Sequence, residues 1–209
     1  MKGVHIQSSD EVSQQRGMRR LRFEDIRAEV ETDRDHQPVI TRLLANLYGG
    51  ELIFEGQFML RQGRGGNVDG RVTVHRVDSQ RLLEDAGSRQ QLSGLLSAEL
   101  NVAGELSALL QRLQADGPVR LRSGVLMLDG VHAGYDLIRF DLHTQGKNYQ
   151  LNSLELFSPL LNAAGDIYID SNANLSGKIR TTGLLASQMN VDGTLHKPRL
   201  VPIDFQSRQ

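Results

Sequence analysis

The sequence predicts a mainly β protein: a long, curled antiparallel sheet forming a taco-like open groove, with two short α-helices. Three observations carry this. From Val39 to Leu60 the residues VITRLLANLYGGELIFEGQFML form two extended runs meeting at Gly49-Gly50; in the second, Leu52, Phe54, Phe58 and Leu60 share one side with Gly56, against Glu51, Glu55, Gln57 and Arg61. A period of two is strand and not helix. The same rhythm then returns, broken by turn signals about every ten to fifteen residues, down to His196. Finally, the 209 residues include 21 glycines but only 5 prolines, which suits many tight turns between long strands.

The elements follow in order. Val4 and Ile6 fit an edge strand before a polar stretch. Arg16, Arg19, Arg20 and Arg22 form a basic cluster that reads as a solvated strand end or as a contact for phosphate or lipid headgroups. Leu21 and Phe23, then Ile26, Ala28 and Val30, alternate with a one-residue slip, which predicts a bulge. Residues 31–38 form a turn. In the first arm of the hairpin Val39, Thr41, Leu43, Ala45 and Leu47 share a side, and Gly49-Gly50 supplies its positive-φ positions. After a turn at residues 61–67, Val68, Gly70, Val72 and Val74 alternate with Asp69, Arg71, Thr73 and His75.

Asp78 to Asp85 reads as a short helix with Asp78 as N-cap, stopping before Gly87. Leu92, Leu96, Ala98, Leu100 and Val102 then share a strand side with Gly94, and Gly104 ends it. In Glu105 to Ala115, Leu106, Leu109, Leu110 and Leu113 take helical spacing, broken by Asp116-Gly117-Pro118. Val119, Leu121, Val125 and Met127 resume the two-residue rhythm. Five strands complete the chain: 135–143, 149–157, 161–170, 173–182 and 189–196. Tight turns between them make neighbours antiparallel. Strands of nine to twelve residues span roughly 30–40 Å, and two short helices are too small to cover such a face. The sheet must curl on itself, pair with a continuation of the chain, or hold an apolar ligand.

Composition narrows the function classes. A net charge of −1 gives a nucleic-acid partner no electrostatic support. The absence of cysteine excludes disulfides, cysteine-zinc sites and thiol catalysis. No run approaches the roughly 18–20 apolar residues of a membrane-spanning helix, and the residues after Met1-Lys2-Gly3 lack the apolar core of a signal peptide.

The chain carries no catalytic motif, and we expect a non-enzymatic protein without cofactor or metal. His132 and His143 are poised as cross-strand neighbours, yet no metal-ligand spacing accompanies them. The carboxylate pairs Asp166/Asp170 and Asp136/Asp141 read as solvated faces. Ser158-Pro159 lacks a nucleophile elbow. Gly63, Gly65 and Gly66 sit in a turn with no helix to follow, unlike a nucleotide loop. The apolar stripe is the one feature able to be a site. It is either an ordinary core or a surface for acyl chains, where each buried CH₂ contributes about 0.8 kcal/mol without directional contacts.

Several segments stand in a recognisable order: Tyr48-Gly49-Gly50, the pair Leu82-Leu83, Leu92-Ser93-Gly94, the pair Leu109-Leu110, Gly124, and Gly193-Thr194-Leu195-His196-Lys197-Pro198. This order resembles the C-terminal region of AsmA-like proteins, which belong with TamB in the repeating β-groove group of bridge-like lipid transfer proteins. The likeness covers roughly residues 20–202; the segment after Gly124, LMLDGVHAGYD, departs from the family's Gly-x-Asp-Leu continuation. The resemblance implies a periplasmic protein, attached to the inner membrane through an anchor or a larger parent chain. It also implies that a hydrophobic groove binds or conducts phospholipid between inner and outer membrane, supporting outer-membrane biogenesis, with outer-membrane assembly proteins as further partners. The alternative is a scaffold module that pairs with other envelope proteins through exposed strand edges. On either reading residues 1–20 are an edge strand or polar lead-in, 21–202 the β-groove domain and 203–209 a polar tail. The residues expected to meet lipid are Leu52, Phe54, Phe58, Leu60, Val72, Val74, Leu96, Leu100, Val102, Ile138, Phe140, Ile167 and Ile169.

Overall fold

The computed structural model describes residues 21–33, 37–61, 65–87, 92–105, 113–128, 131–159, 161–183, 187–195 and 197–203. The lead-in 1–20, with Arg16, Arg19 and Arg20, and the tail from 204 lie outside them, as does the core of the second predicted helix, 106–112.

Among the described residues, twelve strands build one antiparallel sheet in which every strand lies beside its neighbours in the chain. They are β1 (Phe23–Thr32), β2 (Pro38–Leu47), β3 (Gly50–Arg61), β4 (Gly65–Asp78), β5 (Leu95–Glu105), β6 (Gln114–Leu128), β7 (Val131–Gln145), β8 (Asn148–Phe157), β9 (Leu161–Ile169), β10 (Leu175–Gly183), β11 (Ser187–Thr194) and β12 (Lys197–Pro202). Among the described residues β1 and β12 end the strand order without pairing to each other, so the sheet they form is open. One helix is described, α1 (Ser79–Ala86), between β4 and β5. No helix of the described residues is long and apolar enough to cross a membrane.

Local chemistry accounts for α1. The Asp78 carboxylate accepts the backbone N–H groups of Gln80 at 3.0 Å and Arg81 at 3.2 Å, satisfying donors that a helix start leaves free. Gly87, at φ 81°, takes the left-handed closing position and donates to the Glu84 carbonyl. The hairpin joining β2 and β3 differs from expectation by one residue. Leu47 pairs with Gly50, so the two turn positions are Tyr48 (φ 47°) and Gly49 (φ 76°). Gly50 is instead a strand residue, where an added Cβ would stand 2.6 Å from the Val77 nitrogen.

Three further corrections follow. Glu105 ends β5, while Gln114 and Ala115 already pair with Ala103 and Val102 as the start of β6. The ends of the second predicted helix are therefore strand. Asp116, Gly117 and Pro118 lie inside β6 and pair with His143, Leu142 and Asp141; a proline tolerated there ends nothing. Leu92 precedes β5 and meets Leu126 in an isolated bridge, whereas the strand itself runs past Gly104 to Glu105. The slip expected in β1 is present twice, between Glu24 and Arg27 and between Glu29 and Val30, and Asp25 takes a positive φ of 50° at the first.

Candidate functional site

The register lines up side chains across the whole sheet. One row runs Ala28, Leu43, Phe54, Val72 and Leu100 over β1 to β5. It continues through Gly117, Leu142, Leu151, Ile167, Gly177, Val191 and Leu200 over β6 to β12. A second contains Ala45, Leu52, Val74, Ala98, Val119 and Phe140, then Leu154, Gly165, Ile179 and Met189. A third carries Val77, Leu96, Leu121, Ile138, Leu156 and Ala163, and a fourth Gly56, Gly70, Val102, Ala115, Thr144, Tyr149 and Ile169. Since side chains alternate across a strand, these rows, two residues apart except where bulges add one residue between Val74 and Val77 and between Leu151 and Leu154, occupy one face.

The other face is polar. An unbroken row passes Glu29, Arg42, Glu55, Arg71, Asn101, Asp116, His143, Gln150, Tyr168 and Ser176. Arg42 sits between Glu29 at 3.7 Å and Glu55 at 3.6 Å, and His143 Nδ1 lies 3.0 Å from Asp116. These exposed pairs contribute little stability; what they establish is which face meets water.

Twelve of the thirteen residues singled out from the sequence fall on the apolar face. Phe54, Val72, Leu100 and Ile167 stand on the first row, Leu52, Val74 and Phe140 on the second, Leu96 and Ile138 on the third, Val102 and Ile169 on the fourth. Phe58 pairs with Val68 and meets Phe54 edge to face at 6.2 Å between centroids. Leu60 is placed in β3 opposite Gly66, and its side chain lies outside the description. The sequence reading did not single out Leu43, Leu142, Leu151, Leu154, Leu156 and Ile179, which carry the same signal of two-residue spacing beside turns.

Packing on this face is lateral. Phe54, Val68, Val102 and Ala115 form one cluster, with Leu43, Phe58, Val72 and Leu100 against it. Ala98, Val119, Leu121, Tyr135 and Ile138 form another. Within these, Phe54 is 6 % exposed. Yet Leu52, Val72, Val74, Leu96, Leu100, Phe140, Ile167 and Ile169 stay half-buried, and Val77 is the one large side chain of the described residues that is wholly enclosed, at 0 %. A second layer on the face would have buried them further.

Glycines on this face mark unusually close strands. An added Cβ would stand 2.8 Å from Gly56 Cα at Gly70 and 2.8 Å from Ile179 Cα at Gly165, distances side chains do not tolerate. Phe54 Cε2 lies over Gly70, 2.8 Å from that same position.

One end of the sheet is stitched by the segments that carried the family resemblance. Tyr48 accepts from Asp78 N through its carbonyl at 3.2 Å, and its hydroxyl donates to Asp85 Oδ2 at 2.7 Å while accepting Arg22 N at 3.1 Å. Burial, and the bond to Asp85, raise this phenol above its ordinary pKa. Arg22 Nε is 3.6 Å from the same carboxylate. Ser79 donates through its hydroxyl to the Gly94 carbonyl at 3.0 Å. The Tyr135 hydroxyl donates to Ser93 O at 2.5 Å, close over Gly94 and Gly124. Leu82 and Leu83 are half-buried, the pair Leu109-Leu110 and His196 lie outside the described residues, and Gly193 and Thr194 end β11 opposite Pro198 and Lys197 of β12.

The polar candidates separate. His132 and His143 both belong to β7, opposite Met127 and Asp116, so they are not cross-strand neighbours. Asp166 accepts Ser153 N at 2.8 Å. Asp170 is a turn cap, accepting from the Asn172 and Asn174 backbones and from the Asn174 side chain, each at 2.8 Å. Gly65 and Gly66 open β4 and are followed by strand. No group of three or more metal-ligating side chains occurs among the described residues.

The two edges differ. Ile203 N donates to Gln188 O at 2.8 Å, which fixes the alternation of the β11–β12 ladder: Val201, Arg199 and Lys197 bond inward, while Pro202, Leu200 and Pro198 face outward. The outer edge of β12 therefore lacks two of three donors. β1 carries no proline, and Phe23, Ile26 and Val30 stand exposed on it, Val30 at 51 %.

Compared with protein-family models, with curated proteins and with solved structures, the chain matches none.

Proposed function

We propose that the protein is a non-enzymatic module of the cell envelope whose apolar sheet face takes in phospholipid acyl chains. In this reading it belongs with AsmA-like groove proteins, works in the periplasm in association with the inner membrane, and helps pass lipid toward the outer membrane. The observation that carries it is the set of apolar rows crossing the open sheet while their side chains remain half-buried. A continuous oily surface with a polar reverse suits a long apolar ligand that makes no directional contacts.

The close-packed glycines support a concave form of that surface. At Gly70, Gly117, Gly165 and Gly177 the crowding lies on the apolar side. A sheet that brings neighbouring backbone toward one face is bent toward it, and glycine is the residue that permits such a bend.

Mass spectrometry of the purified protein under native conditions, followed by lipid extraction, tests this. Phospholipid is expected with the unaltered chain, and Leu100→Glu or Phe54→Asp should lose it while Arg71→Gln retains it. Circular dichroism identifies any variant that has simply unfolded. Equal lipid in both classes, or none in any, defeats the reading.

A second reading is favoured by β1, a proline-free edge whose outer side has no partner strand among the described residues and which carries exposed apolar side chains. There the protein would act as a scaffold that accepts a strand of another envelope protein. Copurified protein, lost when Val30 is replaced by proline, would distinguish this from lipid carriage.

A further inference from the structure

The polar face holds a depression of about 540 Å³ between β4, β5 and β6. Its cause is local. A bulge places both His75 and Arg76 opposite Ser97, with Arg76 at φ 54°. On the far side Arg120 pairs with Ser97 and Arg122 with Leu95. A short side chain is thus walled by long cationic ones. Arg76, Arg120 and Arg122 are all exposed, and among the described residues none of them forms an ion pair with a carboxylate. Arg139, next to Arg120 on β7, is by contrast bonded to Glu155 at 2.7 Å. Glu99 is the one acidic side chain of the lining, which leaves an excess of two positive charges in a protein whose net charge is −1. Ser97 Oγ accepts Arg76 N at 3.1 Å, so its own proton is directed elsewhere.

We propose that this depression binds a phosphate-type oxyanion, held by the Arg76, Arg120 and Arg122 guanidiniums and by the Ser97 hydroxyl. Guanidiniums pair with tetrahedral oxyanions through parallel N–H donors, and three clustered cations repel one another until such an anion enters. The site lies on the face opposite the apolar rows and does not depend on their taking up lipid. Its anion arrives either as a free phosphate compound or as the headgroup of an anionic lipid at a membrane surface.

The test uses the full chain at low salt with two probes: inorganic pyrophosphate, followed by calorimetry, and sedimentation with vesicles of phosphatidylglycerol in phosphatidylcholine. Arg120→Gln and Arg122→Gln should each weaken binding about tenfold, whereas Arg180→Gln, on the same face far from the depression, should leave it unchanged. Pyrophosphate binding with this dependence supports a free phosphate ligand; vesicle binding alone, with the same dependence, supports a headgroup. Binding of neither probe, or equal loss in Arg180→Gln and Arg120→Gln, overturns the proposal. Lipid retention by the apolar face is measured separately, so either idea can fail alone.

Discussion

Tyr135→Phe removes one hydroxyl from the stitched end of the sheet and should be felt twice. The phenol is 4 % exposed and donates to the Ser93 carbonyl at 2.5 Å. Deleting that donor leaves a buried acceptor without this partner, costing about 1–2 kcal/mol near neutrality. Burial also pushes the phenol from 10.0 up to about 12. Because the folded state holds the proton more tightly, this stabilisation is complete below pH 10 and is lost as pH rises through about 12. A two-unit shift corresponds to about 2 kcal/mol lost over that window. Urea unfolding of both proteins from pH 8 to 12 measures it, the difference cancelling other groups that titrate there. The wild type should start more stable and lose about 2 kcal/mol more than the variant. Equal stability at pH 8, or parallel alkaline declines, would refute the role given to this hydroxyl.

Three further outcomes follow from single sites. Gly165→Ala should destabilise by about 1–3 kcal/mol in denaturant unfolding, since its methyl would enter the Lys178–Ile179 backbone; an unchanged midpoint would mean the strands are not that close. Asp170 is held below the ordinary carboxylate range, first by the Asn174 side chain, then by the Asn174 and Asn172 backbones. Its contribution to the β9–β10 turn is therefore present above the ordinary carboxylate pKa and lost as pH falls through the lowered value, and Asn174→Ala should raise the pKa read by carboxyl NMR. Replacing Pro198 and Pro202 together with Thr restores outward donors to β12 and should produce concentration-dependent association in analytical ultracentrifugation; a monomer at all concentrations would show that proline does not guard that edge.

Much of the fold was readable from side-chain alternation. Val68 to Val74 alternates without interruption, Leu52 to Phe58 does so apart from Ile53 and Leu161 to Ile169 apart from Ala164, and α1 announces itself through Asp78 and Gly87. What escaped was set by contacts distant in sequence or by backbone irregularity. Bulges at Asp25, Arg76, Ser123 and Ser153, each with positive φ, shift the alternation, so Val77 and not Arg76 follows Val74 on the apolar face. β12 was hidden because Pro198 and Pro202 argue against a strand unless its outer edge is free. The leucine spacing of 105–115 satisfies a helix as well as a connection between strands, and pairing of Gln114 and Ala115 with β5 decides its end. The meeting of Tyr135 with Ser93, Gly94 and Gly124, and that of Tyr48 with Arg22 and Asp85, each join residues far apart in the chain. No local pattern reports either.

Neighbouring residues on opposite faces allow the most direct test of the central claim. Benzoylphenylalanine would replace Leu142 or Ile167 on the apolar face, and His143 or Tyr168 beside them on the polar face, with each protein illuminated in the presence of labelled phospholipid vesicles. The account predicts lipid adducts from Leu142 and Ile167 and none from His143 and Tyr168. Equal labelling of the two sets, or labelling from the polar set alone, would contradict it.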